Sequence, residues 1–91
     1  MATVTVGFRG YPVTRYEVGT LKEAGAKVRA YVDANGMGAS DMCRGFGDVV
    51  DEAGTLRAKV GYNGRVWTPE ARWEDATEIV GDALGVPLGG A

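Results

Sequence analysis

The residues able to do chemistry are few, and their spacing points to binding rather than catalysis. The chain has no histidine, the commonest general acid–base and neutral metal ligand. Its single cysteine, Cys43, has no histidine partner to form a thiolate pair. Arg44 beside it would lower the thiol pKa slightly, and the plain reading is a small buried residue. Zinc needs several Cys or His ligands, so a zinc site is excluded. Asp48, Asp51 and Glu52 cluster near a turn, but their spacing is not that of a calcium loop, and they read as turn charges. Gly36-Met37-Gly38 and Arg44-Gly45-Phe46-Gly47 match neither the Walker pattern nor the dinucleotide fingerprint, and read as turn glycines. No pair of acids stands out as a hydrolase couple. An enzyme is not expected, and neither is a cofactor or a metal.

What remains is the placement of charge. Residues 69–84 contain Glu70, Glu74, Asp75, Glu78 and Asp82 against one arginine, a sum of −4. The whole chain is −2, so the rest sums to +2. Glu70, Glu74 and Glu78 are spaced by four, which on a helix lines them up on one side. Arg57, Lys59 and Arg65 lie on or beside a hairpin, with Arg9 and Arg15 as further basic residues. Two candidate partner-binding surfaces follow: an acidic C-terminal helix and a basic sheet face. For each, a merely solvated face is the plain alternative.

The elements that must position these residues are organised by Thr55 to Thr68. Asn63-Gly64 is the preferred pair for a two-residue type I′ turn. That turn sets Tyr62 against Arg65, Gly61 against Val66, Val60 against Trp67 and Lys59 against Thr68. With side chains alternating, Leu56, Ala58, Val60, Tyr62 and Trp67 share a core-facing row with Arg65 at its turn end. Thr55, Arg57, Lys59, Gly61, Val66 and Thr68 share the other.

Upstream, residues 3–8 alternate polar and apolar as a half-buried strand, and residues 13–18 form a second. Thr20 to Asn35 is the best helix. Thr20 and Glu23 form a capping box, and Leu21, Ala24, Gly25, Val28, Tyr31 and Val32 make one apolar stripe. Gly25 costs up to about 1 kcal/mol against Ala in a helix, and close approach to the sheet would explain it. Asn35-Gly36 is the stop. Residues 36–47 read as loop, with Ser40 or Asp41 able to cap a single turn, and residues 46–51 as a strand. Thr68-Pro69 opens a second helix over 69–84, with Trp73, Ala76, Val80, Ala83 and Leu84 on one stripe. Residues 85–91 read as a frayed tail.

The expected architecture is α+β, β-β-α-β-β-β-α: an antiparallel sheet of four to five strands with one helix packed on it. At 91 residues this is one domain, 1–91, comprising a sheet-plus-helix body (3–68), the acidic helix and the tail. The second helix packs on the body or buries its Trp73–Val80 stripe in a homodimer; the sequence leaves both open. A pI near 5.0 argues against nucleic-acid binding driven by overall charge. The lone cysteine fits a reducing cytoplasm. No apolar run approaches the roughly 20 residues that span a bilayer, and no signal peptide pattern opens the chain, so no membrane partner is expected.

The strand pair, the amphipathic helix and the hairpin Tyr62-Asn63-Gly64-Arg65-Val66-Trp67 together resemble small proteins carried by phages and plasmids. Among these, residues 3–68 are similar to anti-CRISPR proteins with a helix packed on a bent antiparallel sheet. The resemblance implies a stoichiometric inhibitor that docks on a CRISPR effector complex or its nuclease subunit and blocks nucleic-acid access. Glu70, Glu74, Asp75, Glu78 and Asp82 would then act as phosphate mimics in a basic channel. Alternatively Arg57, Lys59 and Arg65, with Tyr11 or Tyr16, would anchor the sheet face. The rival reading is a small nucleic-acid-binding regulator using the basic sheet face.

Overall fold

The computed structural model describes residues 2–88. It is α+β, with one α-helix and a six-stranded antiparallel sheet, and so has more strands and fewer helices than the sequence suggests. In chain order the elements are β1 (Ala2–Val6), β2 (Thr14–Val18), α1 (Leu21–Asn35), β3 (Asp48–Val50), β4 (Leu56–Val60), β5 (Val66–Trp67) and β6 (Glu78–Ile79). The strand order across the sheet is β2-β1-β3-β4-β5-β6.

α1 covers one face. It starts where expected: the Thr20 hydroxyl accepts the Glu23 N–H at 3.2 Å. The Glu23 carboxylate reaches back to the Gly19 N–H at 3.3 Å, one residue earlier than a standard capping box. It ends at Gly36, whose left-handed φ of 58° lets its N–H return to the Val32 carbonyl. Leu21, Ala24, Gly25, Val28 and Val32 are its buried residues. They meet Ala2, Val4, Val6, Val18, Val49, Ala58, Val60 and Val66 from the sheet. Full burial of each valine or leucine among them stabilises by about 1.5–3 kcal/mol. Gly25 is explained by close approach: a Cβ there would lie 2.6 Å from the Gly64 carbonyl oxygen.

The central hairpin forms, but one residue out of the expected register. Lys59 pairs with Trp67 and Val60 with Val66. Asn63 has no positive φ; only Gly64 does, at 84°. The Gly64 N–H returns to the Gly61 carbonyl and the Gly61 N–H to the Arg65 carbonyl, each at 2.9 Å. Asn63 Oδ1 accepts the Arg65 N–H at 3.1 Å. This is the three-residue loop ending in a left-handed glycine, not the two-residue type I′ turn. A one-residue slip exchanges the faces of β5. Val66 enters the core at 4% exposure, and Trp67 moves to the opposite face with Lys59. Leu56 also leaves the expected row. A register shift between Val49 and Val50 places it opposite Val50, outside the core cluster.

The expected helix over 69–84 is absent. The segment holds a 3-10 turn at Trp73–Asp75, the short strand β6, and a 3-10 turn at Gly81–Gly85. Thr68 directs the difference: its hydroxyl accepts the Thr77 N–H and its N–H donates to the Thr77 carbonyl, both at 2.9 Å. The chain thereby turns back along β5, with Ile79 opposite Val66. It then crosses to the helix layer, where Leu84 is packed against the core and Leu88 is 6% exposed. The Leu88 N–H donates to the Gly19 carbonyl at 2.8 Å. The end of the expected frayed tail is therefore anchored at Leu88 and by the Pro87–Thr20 bridge, while Gly85, Val86 and Pro87 themselves stay exposed; residues 89–91 of the expected tail lie outside the described residues. The 36–47 segment is irregular, as expected, around a single 3-10 turn at Ala39–Asp41. Its Met42 bridges Phe8.

Candidate functional site

α1 leaves the other sheet face open. By alternation from the registers, that face carries Thr3 and Thr5 of β1, Arg15 and Glu17 of β2, Asp48 and Val50 of β3, Lys59 of β4, Trp67 of β5 and Glu78 of β6. Lys59 stands between Asp48 on one neighbouring strand and Trp67 on the other. It is fixed there. Its Nζ donates to the Glu70 carbonyl at 2.8 Å and lies 5.7 Å from the centre of the Trp73 ring. Trp73 meets Trp67 edge-on, with ring centroids 6.2 Å apart and planes at 83°. Trp73 nevertheless stays 53% exposed.

Beside this cluster runs an open groove of about 630 Å³, lined by Cys43, Phe46, Asp48, Leu56, Lys59 and Trp73 among others. A second groove of about 340 Å³ shares Asp48 and continues over Thr3, Thr5, Arg15, Arg44 and Val50. Burial pushes the Asp48 carboxyl above its ordinary range, and the Lys59 charge offsets part of that rise. Cys43 is buried at 8% exposure, and burial pushes its thiol up. The charge that draws it back is that of Arg15, not the adjacent Arg44. A raised thiol is a poor nucleophile.

The structure disperses most of the residues singled out from the sequence. Arg57 is committed to Asp51 at 3.2 Å. Asp51 also accepts the Ala53 and Thr55 N–H groups at 3.0 Å. These bonds, the one from Thr55 foremost, hold its carboxyl below the usual range. Arg65 is exposed at the hairpin tip. Glu74 is paired with Arg72 at 2.7 Å, and that hydrogen bond lowers its pKa. Glu70 contributes its carbonyl to Lys59. Asp75 is exposed in the 3-10 turn that carries Trp73, and Glu78 stands opposite Trp67. Asp82 lies in the turn packed on α1. With no helix beneath them, the five acids do not form one stripe. The Trp73–Val80 dimer stripe is lost for the same reason: Trp73 is engaged with Trp67 of its own chain, and Val80 is 64% exposed between β6 and the Gly81–Gly85 turn.

Sequence reasoning missed the Trp67–Trp73–Lys59 cluster. The available signal was Thr77-Glu78-Ile79-Val80, a run with three β-branched residues closed by glycine, which reads as a strand and breaks the supposed helix.

Among the described residues, no group of three or more His, Cys, Asp or Glu side chains is placed to hold a metal ion. None of their helices is long and apolar enough to cross a membrane. No protein-family model, no curated protein and no solved structure matches the chain.

Proposed function

We propose that this chain is a non-enzymatic binding protein that docks on a protein partner through the helix-free face of its sheet. The observation that carries this reading is the Trp67–Trp73–Lys59 cluster: two aromatic rings and a fixed ammonium beside an open groove. Trp and Tyr are favoured interface anchors, because they offer large rigid surface at low entropic cost. Tyr62, 57% exposed, lines the same groove. A protein partner is favoured over nucleic acid because the face mixes signs. Arg15, Arg44 and Lys59 are interspersed with Glu17, Asp48 and Glu78, whereas a phosphate-tracking surface needs a continuous positive stripe.

The specific partner in this reading is a CRISPR effector complex or its nuclease subunit, in the cytoplasm, inhibited by occlusion of its nucleic-acid path. Its support is the layout of one helix on an antiparallel sheet. The contact differs from phosphate mimicry by an acidic helix, because residues 69–84 form none. The test is retention of purified CRISPR effector ribonucleoproteins by the tagged protein, with target-DNA binding measured alongside. Retention of an effector, loss of its DNA binding, and relief of both by Trp73→Ala are the expected results. Retention of none, together with tight binding of free single-stranded oligonucleotide at physiological salt, would replace this reading with the nucleic-acid regulator.

A further inference from the structure

The two edges of the sheet are finished differently. The β6 edge is two residues long, and the chain leaves it at once for the helix layer. A very short strand is a common way to blunt an edge. The β2 edge is five residues long and pairs with β1 in unbroken register. The Thr5 carbonyl accepts the Gly47 N–H on the β3 side at 2.7 Å, and that of Gly7 accepts the Cys43 N–H. By alternation, Ala2, Val4 and Val6 turn their main-chain groups toward β2, where they meet Val18, Tyr16 and Thr14. The N–H and C=O groups of Arg15 and Glu17 therefore point off the edge. Among the described residues, no turn or loop bond engages them.

We infer that a second copy of this chain docks on the β2 edge, joining the two sheets through a two-fold axis at Tyr16. In an antiparallel β2–β2 pairing centred there, each Arg15 stands opposite the partner's Glu17, and each Thr14 opposite the partner's Val18. The pairing puts the outward main-chain groups of Arg15 and Glu17 in hydrogen-bonded positions, which is the phase the edge presents. It also puts opposite charges directly across from each other on the open face, twice, by symmetry. On the helix side, the groove of Tyr16, Lys27, Ala30, Tyr31, Ala34 and Asn35 runs beside the same edge. Its exposed alanines leave room for the partner's equivalent surface.

Sedimentation velocity over a concentration series tests this, with amide hydrogen exchange on the same samples. The wild-type chain is expected to dimerise within a range reaching about 1 mM, more weakly as salt rises. The Arg15 and Glu17 amides should gain protection with concentration, while Tyr16, bonded to Val4, is protected throughout. Arg15→Glu or Glu17→Arg alone should weaken the dimer about tenfold or more. The double exchange R15E/E17R should restore it, which a merely misfolded variant would not do. A monomer across the whole range, or a double variant no tighter than the single ones, would overturn the proposal.

Discussion

Residues 2–60 and residues 66–88 are held by different forces. The first stretch buries a row of valines and alanines against α1, and its strand faces follow from alternation except at Leu56, which the register shift beside Val50 takes off the row. The second has little core of its own. It is held by Val66, Ile79, Leu84 and Leu88, by the Thr68–Thr77 bonds, and by the Lys59 grip on the Glu70 carbonyl. Hydrophobic patterning therefore reads the first region well. In the second, specific polar contacts override a pattern that would suit a helix equally well.

The sharpest break of this contrast lies in the body. Gly47 has φ 83°, and an added Cβ would drive into the Val60 carbonyl. Gly47→Ala should cost about 4 kcal/mol or more, enough to unfold a marginal domain in urea titration. Gly25→Ala should cost about 1–3 kcal/mol, although alanine favours the helix by roughly 1, because the Gly64 carbonyl blocks the new methyl group.

The C-terminal region should show a steep gradient along its length. Leu88→Ala should destabilise by about 2–3 kcal/mol, whereas Val80→Ala should stay within about 0.5. Equal effects would show that the segment is not anchored at its end. Trp73→Ala should cost about 1 kcal/mol of stability, from the lost edge-on ring contact, but should weaken partner binding roughly thirtyfold. Loss of stability without loss of binding would move the docking face elsewhere.

The smallest effect concerns pH. Burial raises the Asp48 carboxyl, so the folded state holds its proton more tightly than the unfolded state does. Stability from this group is then greatest below the ordinary carboxylate range and is lost as pH rises through the folded value. Asp48→Asn should accordingly raise the melting temperature slightly at pH 7 and leave it unchanged near pH 3. Asp51 has the opposite sign. Its lowered pKa makes its contribution present at neutral pH and lost as pH falls through the folded value.

The helix, its cap, its stop and the reason for Gly25 were legible in the sequence because each has one physical reading. Two features were not. Asn-Gly suits both the type I′ turn and the glycine-terminated three-residue loop. The loop that forms sets the Gly64 carbonyl close against Gly25, a long-range contact that no local pattern encodes. Likewise, Pro69 and acids four apart satisfy helix rules, while the decisive bonds from Thr68 to Thr77 join residues nine apart. Because both misreadings move Trp67 or Trp73, the candidate site was the least legible part of the molecule. Its basic half was visible as Lys59, but its aromatic half was assigned to the core and to a helix stripe.

Contacts of the Trp67 indole in a nuclear Overhauser spectrum test the account most directly. The expected cross-peaks run from Trp67 to Trp73 and Lys59, with strand-type contacts between Val66 and Ile79. Cross-peaks from Trp67 to Val28, with sequential helical contacts through 69–84, would return Trp67 to the core and remove the docking face.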